Sequence, residues 1–332
     1  MSLNTISNVR QWVLDAEQRS RPYLWTTPLE HSLYLSEYCG GEVWLKLDLV
    51  QKTTSFKLRG ATSKIMSLTE EEMARGVLTA STGNYAFAVA EACKQRGYTA
   101  TTYVAKNLTP SRLGLMKKHG LDVVIHGEEA GAAEAEARRV AELEGKIYIS
   151  PYNDPAVVGG QGTCGLEISQ QLPDLDVVVA AVGGGGLIAG TGGWLKSFKP
   201  DVRVIGVSPE KSPVMYESLK AKKILDIETY PTLADTCAGG VDHDAITLEL
   251  CEQVIDDFIL LTEAEIEEGI RALFEQHRLV AEGSAAMSVA AVLKHPDKFA
   301  NRKTVLVICG RNIDMDRFRQ ITGISLPQTR DQ

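Results

Sequence analysis

No Cys-x-x-Cys pair occurs in this 332-residue chain, and its six cysteines, Cys39, Cys93, Cys164, Cys237, Cys251 and Cys309, lie far apart. Scattered thiols in a chain this long argue against a disulfide framework and for a reducing, cytoplasmic setting. No apolar run approaches the roughly 20 residues that span a bilayer, and no leader-like segment precedes the first amphipathic stretch. Basic clusters are missing too. Net charge is −8, and Arg138-Arg139 and Lys222-Lys223 are isolated pairs expected on the solvated surface. Neither nucleic acid nor a membrane is an expected partner. Internal repeats and low-complexity linkers are also absent.

What is present is ordinary soluble composition, 44% hydrophobic and 23% charged, in a chain long enough for one large or two moderate domains. Strand-like runs alternate with helical patterns. Val43 to Leu47 reads as a strand, with a helix from about Lys57 to Leu68. Strands are expected at Gly76–Thr79, Ala100–Val104, Asp122–Ile125 and Ile147–Ile149. Pro110 suits a helix start and Gly120 its C-terminal cap, and Glu128 to Glu144 reads as a helix. A Gly-rich connection and a helix around Leu166–Leu172 follow. Asp176–Val182, Val202–Val207 and Lys303–Ile308 are apolar on both faces, which implies parallel sheets covered by helices. Two clusters, roughly 76 to 149 and 176 to 308, point to two α/β domains with open, mostly parallel sheets.

Four motifs carry chemistry. Lys57 sits in Thr54-Ser55-Phe56-Lys57-Leu58-Arg59-Gly60-Ala61, where desolvation would favour the neutral amine that condenses with aldehydes. Gly183-Gly184-Gly185-Gly186-Leu187 directly follows a buried strand. Consecutive glycines expose backbone N–H groups at a helix start and suit a phosphate. The same stretch, as Gly184-x-Gly186-x-x-Ala189 with Glu210 about 20 residues on, also fits a dinucleotide fingerprint and leaves an oxidoreductase open. Ser81-Thr82-Gly83-Asn84 offers a carboxylate cradle at a helix N-terminus, or simply an N-cap and turn. Cys309-Gly310-Arg311-Asn312 ends the last buried strand, where ligands of α/β sheets bind. There Cys309 either faces a ring nitrogen or belongs to the core.

In this order and spacing, Ser55-Phe56-Lys57, Ser81-Thr82-Gly83-Asn84, Gly183 to Gly186 and Cys309-Gly310-x-Asn312 resemble fold-type II pyridoxal-phosphate enzymes of the threonine dehydratase and serine racemase family, over about residues 20 to 320. The resemblance implies a tryptophan synthase β-like fold. Residues 1–67 and 149–325 would form the large cofactor-binding domain, and 68–148 a small domain closing over the substrate. It implies pyridoxal 5'-phosphate held by Lys57 as a Schiff base, the lysine later taking the substrate Cα proton. Phe56 would pack near the pyridine ring, Asn84 would bond its 3′ oxygen, and Gly183, Gly184, Gly185, Gly186 and Leu187 would hold the phosphate. Cys309 stands for a family serine facing the ring nitrogen. Ser81, Thr82 and Gly83 would bind the substrate carboxylate. A neutral partner at that nitrogen favours β-elimination from a β-hydroxy amino acid such as L-threonine or L-serine, giving a 2-oxo acid and ammonia. A racemase on the same scaffold is the second reading, with Thr82 as the acid on the opposite face. The resemblance also points to an amino-acid substrate as the small-molecule partner and to a homodimer.

Departures from the family pattern bear on the substrate. Ala234-Asp235-Thr236 stands where Ala-Asp-Gly is common. Ser208 and Val214 occupy the positions of a divalent-cation pair, with Glu210 displaced by two residues, so no metal site is expected. Asp242-His243-Asp244 reads as a solvated loop. Tyr85 and Phe87 replace a His and a polar residue and are expected to shape the side-chain pocket. No length remains for a C-terminal regulatory domain, so feedback by isoleucine is not expected.

Overall fold

Runs of β-branched residues become strands in the computed structural model, which describes residues 5–106, 108 and 110–324. Ten strands are found among them: β1 (Leu29–His31), β2 (Glu42–Lys46), β3 (Val77–Ala80), β4 (Ala100–Val104), β5 (Asp122–Ile125), β6 (Ile147–Tyr148), β7 (Val177–Ala181), β8 (Arg203–Pro209), β9 (Asp257–Leu261) and β10 (Lys303–Val307). A six-stranded sheet has the order β1-β2-β10-β7-β8-β9, and a four-stranded sheet the order β5-β4-β3-β6. Every pairing is parallel except that of β1 with β2. All five residues of β7 are buried, as a strand covered on both faces requires. The α/β class with two open parallel sheets therefore holds. Among the described residues no helix is long and apolar enough to cross a membrane.

The Val43 strand joins the larger sheet, which therefore draws from both sides of the four-stranded one. One expectation changes. The supposed Gly-rich connection before Leu166 is instead the front of a helix, Pro155–Gln171. Asp154 caps it, accepting from the N–H groups of Ala156 and Val157, and Pro155 occupies the first turn. Its glycines serve packing: a Cβ on Gly160 would lie 2.5 Å from the Arg59 carbonyl oxygen, and one on Gly162 2.2 Å from Val13. Glycine's low helix propensity is outweighed by contact with the helices Ile6–Ser20 and Lys57–Ser67.

Beneath Lys57 lies a buried ion network. Arg59, fully enclosed, binds Asp48 through Nε at 2.7 Å and Nη2 at 2.9 Å. Its Nη1 and Nη2 reach both Glu167 oxygens at 2.8 Å. Lys46 Nζ adds a contact to Glu167 at 2.6 Å and another to the Thr27 carbonyl at 2.8 Å. Burial opposes the charged carboxylate, but Arg59 and Lys46 hold Glu167 well below the usual range. Arg59→Ala strands the buried Asp48 and strips Glu167 of two bonds, and is expected to destabilise the fold by about 3–5 kcal/mol in urea titrations at pH 7. A depressed pKa stabilises only above the unfolded value of about 4.3. The wild-type advantage over Arg59→Ala should therefore shrink as pH falls below that value.

Candidate functional site

Lys57 begins the helix Lys57–Ser67 at the carboxyl end of the large sheet, and backbone bonds fix its place. The Phe56 N–H donates to the Cys309 carbonyl at 2.9 Å, the Arg311 N–H to the Thr54 carbonyl at 3.1 Å, and Ser55 bridges Gly310. Thr54, at φ 64°, makes the left-handed bend that turns the chain into this helix. The Lys57 ammonium lies 4.9 Å from the Phe56 ring centre and 5.7 Å from that of Tyr85. Burial lowers its pKa, partly offset by Cys237, Cys309 and Glu282.

Two cavities share Lys57. The smaller, about 30 Å³, is lined by Phe56, Gly183 to Leu187, Cys237 and Cys309. Gly185 adopts φ 85° as N-cap of the helix Gly186–Phe198, a conformation costly for other residues. A Cβ on Gly184 would sit 2.3 Å from the Tyr152 ring, so the tyrosine packs directly on bare backbone. Backbone N–H groups at such a helix start form an anion cradle. Cys309 is 2% exposed. Burial, then Glu282, pushes its thiol pKa far up, which keeps it neutral.

The larger cavity, about 390 Å³, is lined by Ser81, Thr82, Gly83, Asn84 and Tyr85 on one side and by Asp235, Thr236 and Asn312 on the other. This volume suits a small-molecule ligand. Ser81 Oγ accepts the Gly83 N–H at 3.2 Å, so part of the supposed carboxylate cradle is tied up in its own turn. Tyr85 lines the cavity while its hydroxyl donates to the Ser150 carbonyl at 2.6 Å. Phe87, expected to shape the pocket, does not line it. It faces the small-sheet core, 4.6 Å from the His119 ring, because it falls on the opposite side of the helix from the cavity.

Behind the lining residues stand others whose sequence context gives no sign of the site. Asn84 Nδ2 donates to both Glu282 oxygens, at 2.9 and 3.0 Å. Glu282 lies in Ala281-Glu282-Gly283-Ser284, which as sequence reads only as an acidic helix start. Arg138 and Asp242, read as solvated surface, meet at 2.8 Å. Arg138 also lies over the Tyr148 ring at 4.3 Å, and the Asp242 N–H donates to the Tyr152 hydroxyl at 2.9 Å. Asp242 thus links the helix Ala130–Glu144 to the tyrosine that packs on the glycine loop. Ser208 donates to the Val182 carbonyl at 2.5 Å inside the core, away from solvent.

A half-buried lysine beside a backbone anion cradle, opening into a polar cavity, defines a site for a phosphate-bearing carbonyl cofactor. Residues 21–310 match the family model described as pyridoxal-phosphate dependent enzyme. The catabolic L-threonine dehydratase of Escherichia coli (strain K12) is 39% identical over 94% of this chain and 95% of that protein. The processed form of threonine deaminase isoform 2 from Solanum lycopersicum superposes with a TM-score of 0.89 at 31% identity, covering 96% of this chain and 93% of that one. Maize serine racemase superposes with a TM-score of 0.88 at 28% identity, covering 94% and 95%. The chain belongs to the pyridoxal-phosphate-dependent enzyme family. It is a carbon–nitrogen lyase of the threonine dehydratase kind, and its cofactor is pyridoxal 5'-phosphate.

The residues present fit that cofactor. The glycine loop leaves no room for a Cβ at Gly184, and the lysine amine stands on the wall common to both cavities. The Cys237 thiol is pushed up to about 11, chiefly by burial, and burial raises the Cys309 thiol as well. Thiolate is the reactive form, and at pH 7.5 such a thiol is ionised well below one part in a thousand. Native protein is expected to resist iodoacetamide at both positions, with labelling appearing only in denaturant, as read by peptide mass spectrometry.

Proposed function

We propose that this protein eliminates water from a β-hydroxy amino acid, L-threonine or L-serine, releasing a 2-oxo acid and ammonia. The observation that carries the reading is the Lys57 amine, with its lowered pKa, on the wall shared by the glycine cradle and the polar cavity. The bound cofactor supplies a sink for electrons released at the substrate Cα. Lys57 holds the cofactor and, as the free amine, takes the Cα proton. The backbone of Gly183 to Gly186, with Leu187 opening the helix, holds the phosphate. Phe56 would pack near the ring, and Asn84 would donate toward the 3′ oxygen. Ser81, Thr82 and Gly83 hold the substrate carboxylate.

Cys309, whose thiol stays neutral, would face the ring nitrogen without protonating it, and that would favour β-elimination. Asp235 and Thr236 line the same cavity and can meet that hydroxyl, which supports a polar, compact side chain over a large aromatic one. Thr82, on the wall of the cavity that Lys57 enters, supports racemisation as the second reading. The segment 68–148 closes over the substrate, on a large domain of 1–67 and 149–325. A cytoplasmic location, which the six cysteines free of disulfides support, and a homodimer that rests on family resemblance alone complete the reading.

Purified protein should be yellow, and borohydride should fix the cofactor on Lys57, as peptide mapping would show. Lys57→Ala should lower kcat/KM for 2-oxo acid release by at least about 10²–10⁴-fold. Across a panel of threonine, serine, 3-hydroxyaspartate, phenylserine and hydroxyectoine-derived compounds, threonine or serine should release ammonia fastest. Racemised substrate without ammonia would favour the second reading. Colourless protein that retains a nicotinamide would sink both.

A further inference from the structure

Glu282 stands at the N-terminus of the helix Gly283–Lys294, 2% exposed. Donors from three separate segments converge on its carboxylate. Asn84 Nδ2 reaches both oxygens, the Asn312 N–H donates to Oε2 at 2.9 Å, and Thr236 Oγ1 lies 2.9 Å from Oε1. Gly310 makes room for it, since a Cβ there would lie 2.7 Å from the carboxyl group. Thr236 Oγ1 is in turn 2.6 Å from Ser284 Oγ. Burial raises the Glu282 pKa, while the bonds from Asn84, Asn312 and Thr236 oppose the rise. Donors on both oxygens suit the carboxylate, because a protonated acid would set an O–H against an N–H.

The Asn84 carboxamide is held at its other end as well, Oδ1 accepting from Asn312 Nδ2 at 3.0 Å. Nδ2 has two hydrogens, and Asn84 lines the cavity while Glu282 is not among its lining residues. We propose that Glu282 is a positioning residue: it fixes the flip and aim of the Asn84 carboxamide, so that a donor and not an acceptor serves the cofactor. It acts from a helix packed on the large sheet, whereas Asn84 begins a helix packed in the small-sheet core. Thr236, standing where family resemblance leads one to expect glycine, supplies one of the converging bonds in this chain. The inference rests on the assignment of the cavity to pyridoxal phosphate.

The test is a double-mutant cycle read by cofactor affinity and spectrum. Pyridoxal phosphate binding by equilibrium dialysis, and the absorbance of the bound cofactor, are compared for wild type, Glu282→Gln, Asn84→Ala and the double variant, with melting temperature as the folding control. Each single variant is expected to weaken binding by about 10- to 100-fold, the range for a lost hydrogen bond to a charged group. The double variant should weaken it no further than the worse single one, and both singles should shift the absorbance in the same direction. In turnover, kcat should fall while KM stays within about twofold. Additive losses, or a Glu282→Gln protein with wild-type affinity and spectrum, overturn the proposal. A wild-type protein that binds no pyridoxal phosphate overturns the underlying assignment instead. Should Glu282→Gln not fold, Thr236→Val removes one bond alone: a several-fold weakening supports the role, and unchanged affinity overturns it.

Discussion

The Arg59 guanidinium is the fixed point of this molecule. Its helix carries the reactive lysine two residues earlier, and its fork grips Asp48 just beyond β2 and Glu167 in the helix Pro155–Gln171. A planar, permanently charged group with five donors suits two carboxylates at once, and lysine could not replace it. Lys46 and Arg21 bring further positive charge to Glu167, so neither carboxylate of this network stands alone. Charge burial is expensive unless every partner is present, which makes the arrangement unforgiving and therefore rigid. Rigidity is what a lysine that must both hold a cofactor and reach a substrate proton requires.

Contacts made by bare backbone carry the rest of the site. Tyr152 covers Gly184 and Gly186, while its hydroxyl accepts a bond from Asp242. Asp242 is also bound by Arg138 and Asn153. A loop that is conformationally free by composition is thereby clamped by a chain of side chains running to the outer helix Ala130–Glu144. Preorganised N–H groups bind an anion better than mobile ones, because the ordering cost falls on folding rather than on binding.

The sequence made the two parallel sheets, Lys57, the glycine loop and Cys309 legible, since each has a local signature: buried runs, an odd lysine, repeated glycine. The front of the helix Pro155–Gln171, before Leu166, was hidden because its glycines, read locally, signal a turn, and only close helix packing explains them. Glu282 and Arg59 were hidden for another reason. Their partners lie up to 198 and 108 residues away, and a carboxylate at a helix start or an arginine within one looks unremarkable in isolation. Phe87 misled because its neighbour Tyr85 does line the cavity, while two residues along a helix turn a side chain to a different face.

β10 completes the large sheet from the far end of the chain. It lies between β2 and β7, with Val43 paired to Thr304 and Val178 to Val305. Until residues 303–307 leave the ribosome, β2 and β7 both present open edges, and no earlier strand can fill the gap. The nascent protein therefore passes through a stage with its sheet in two pieces, a state prone to association and dependent on prompt chain completion. Losing the last strand would not trim this fold at its margin; it would divide the sheet beneath the lysine.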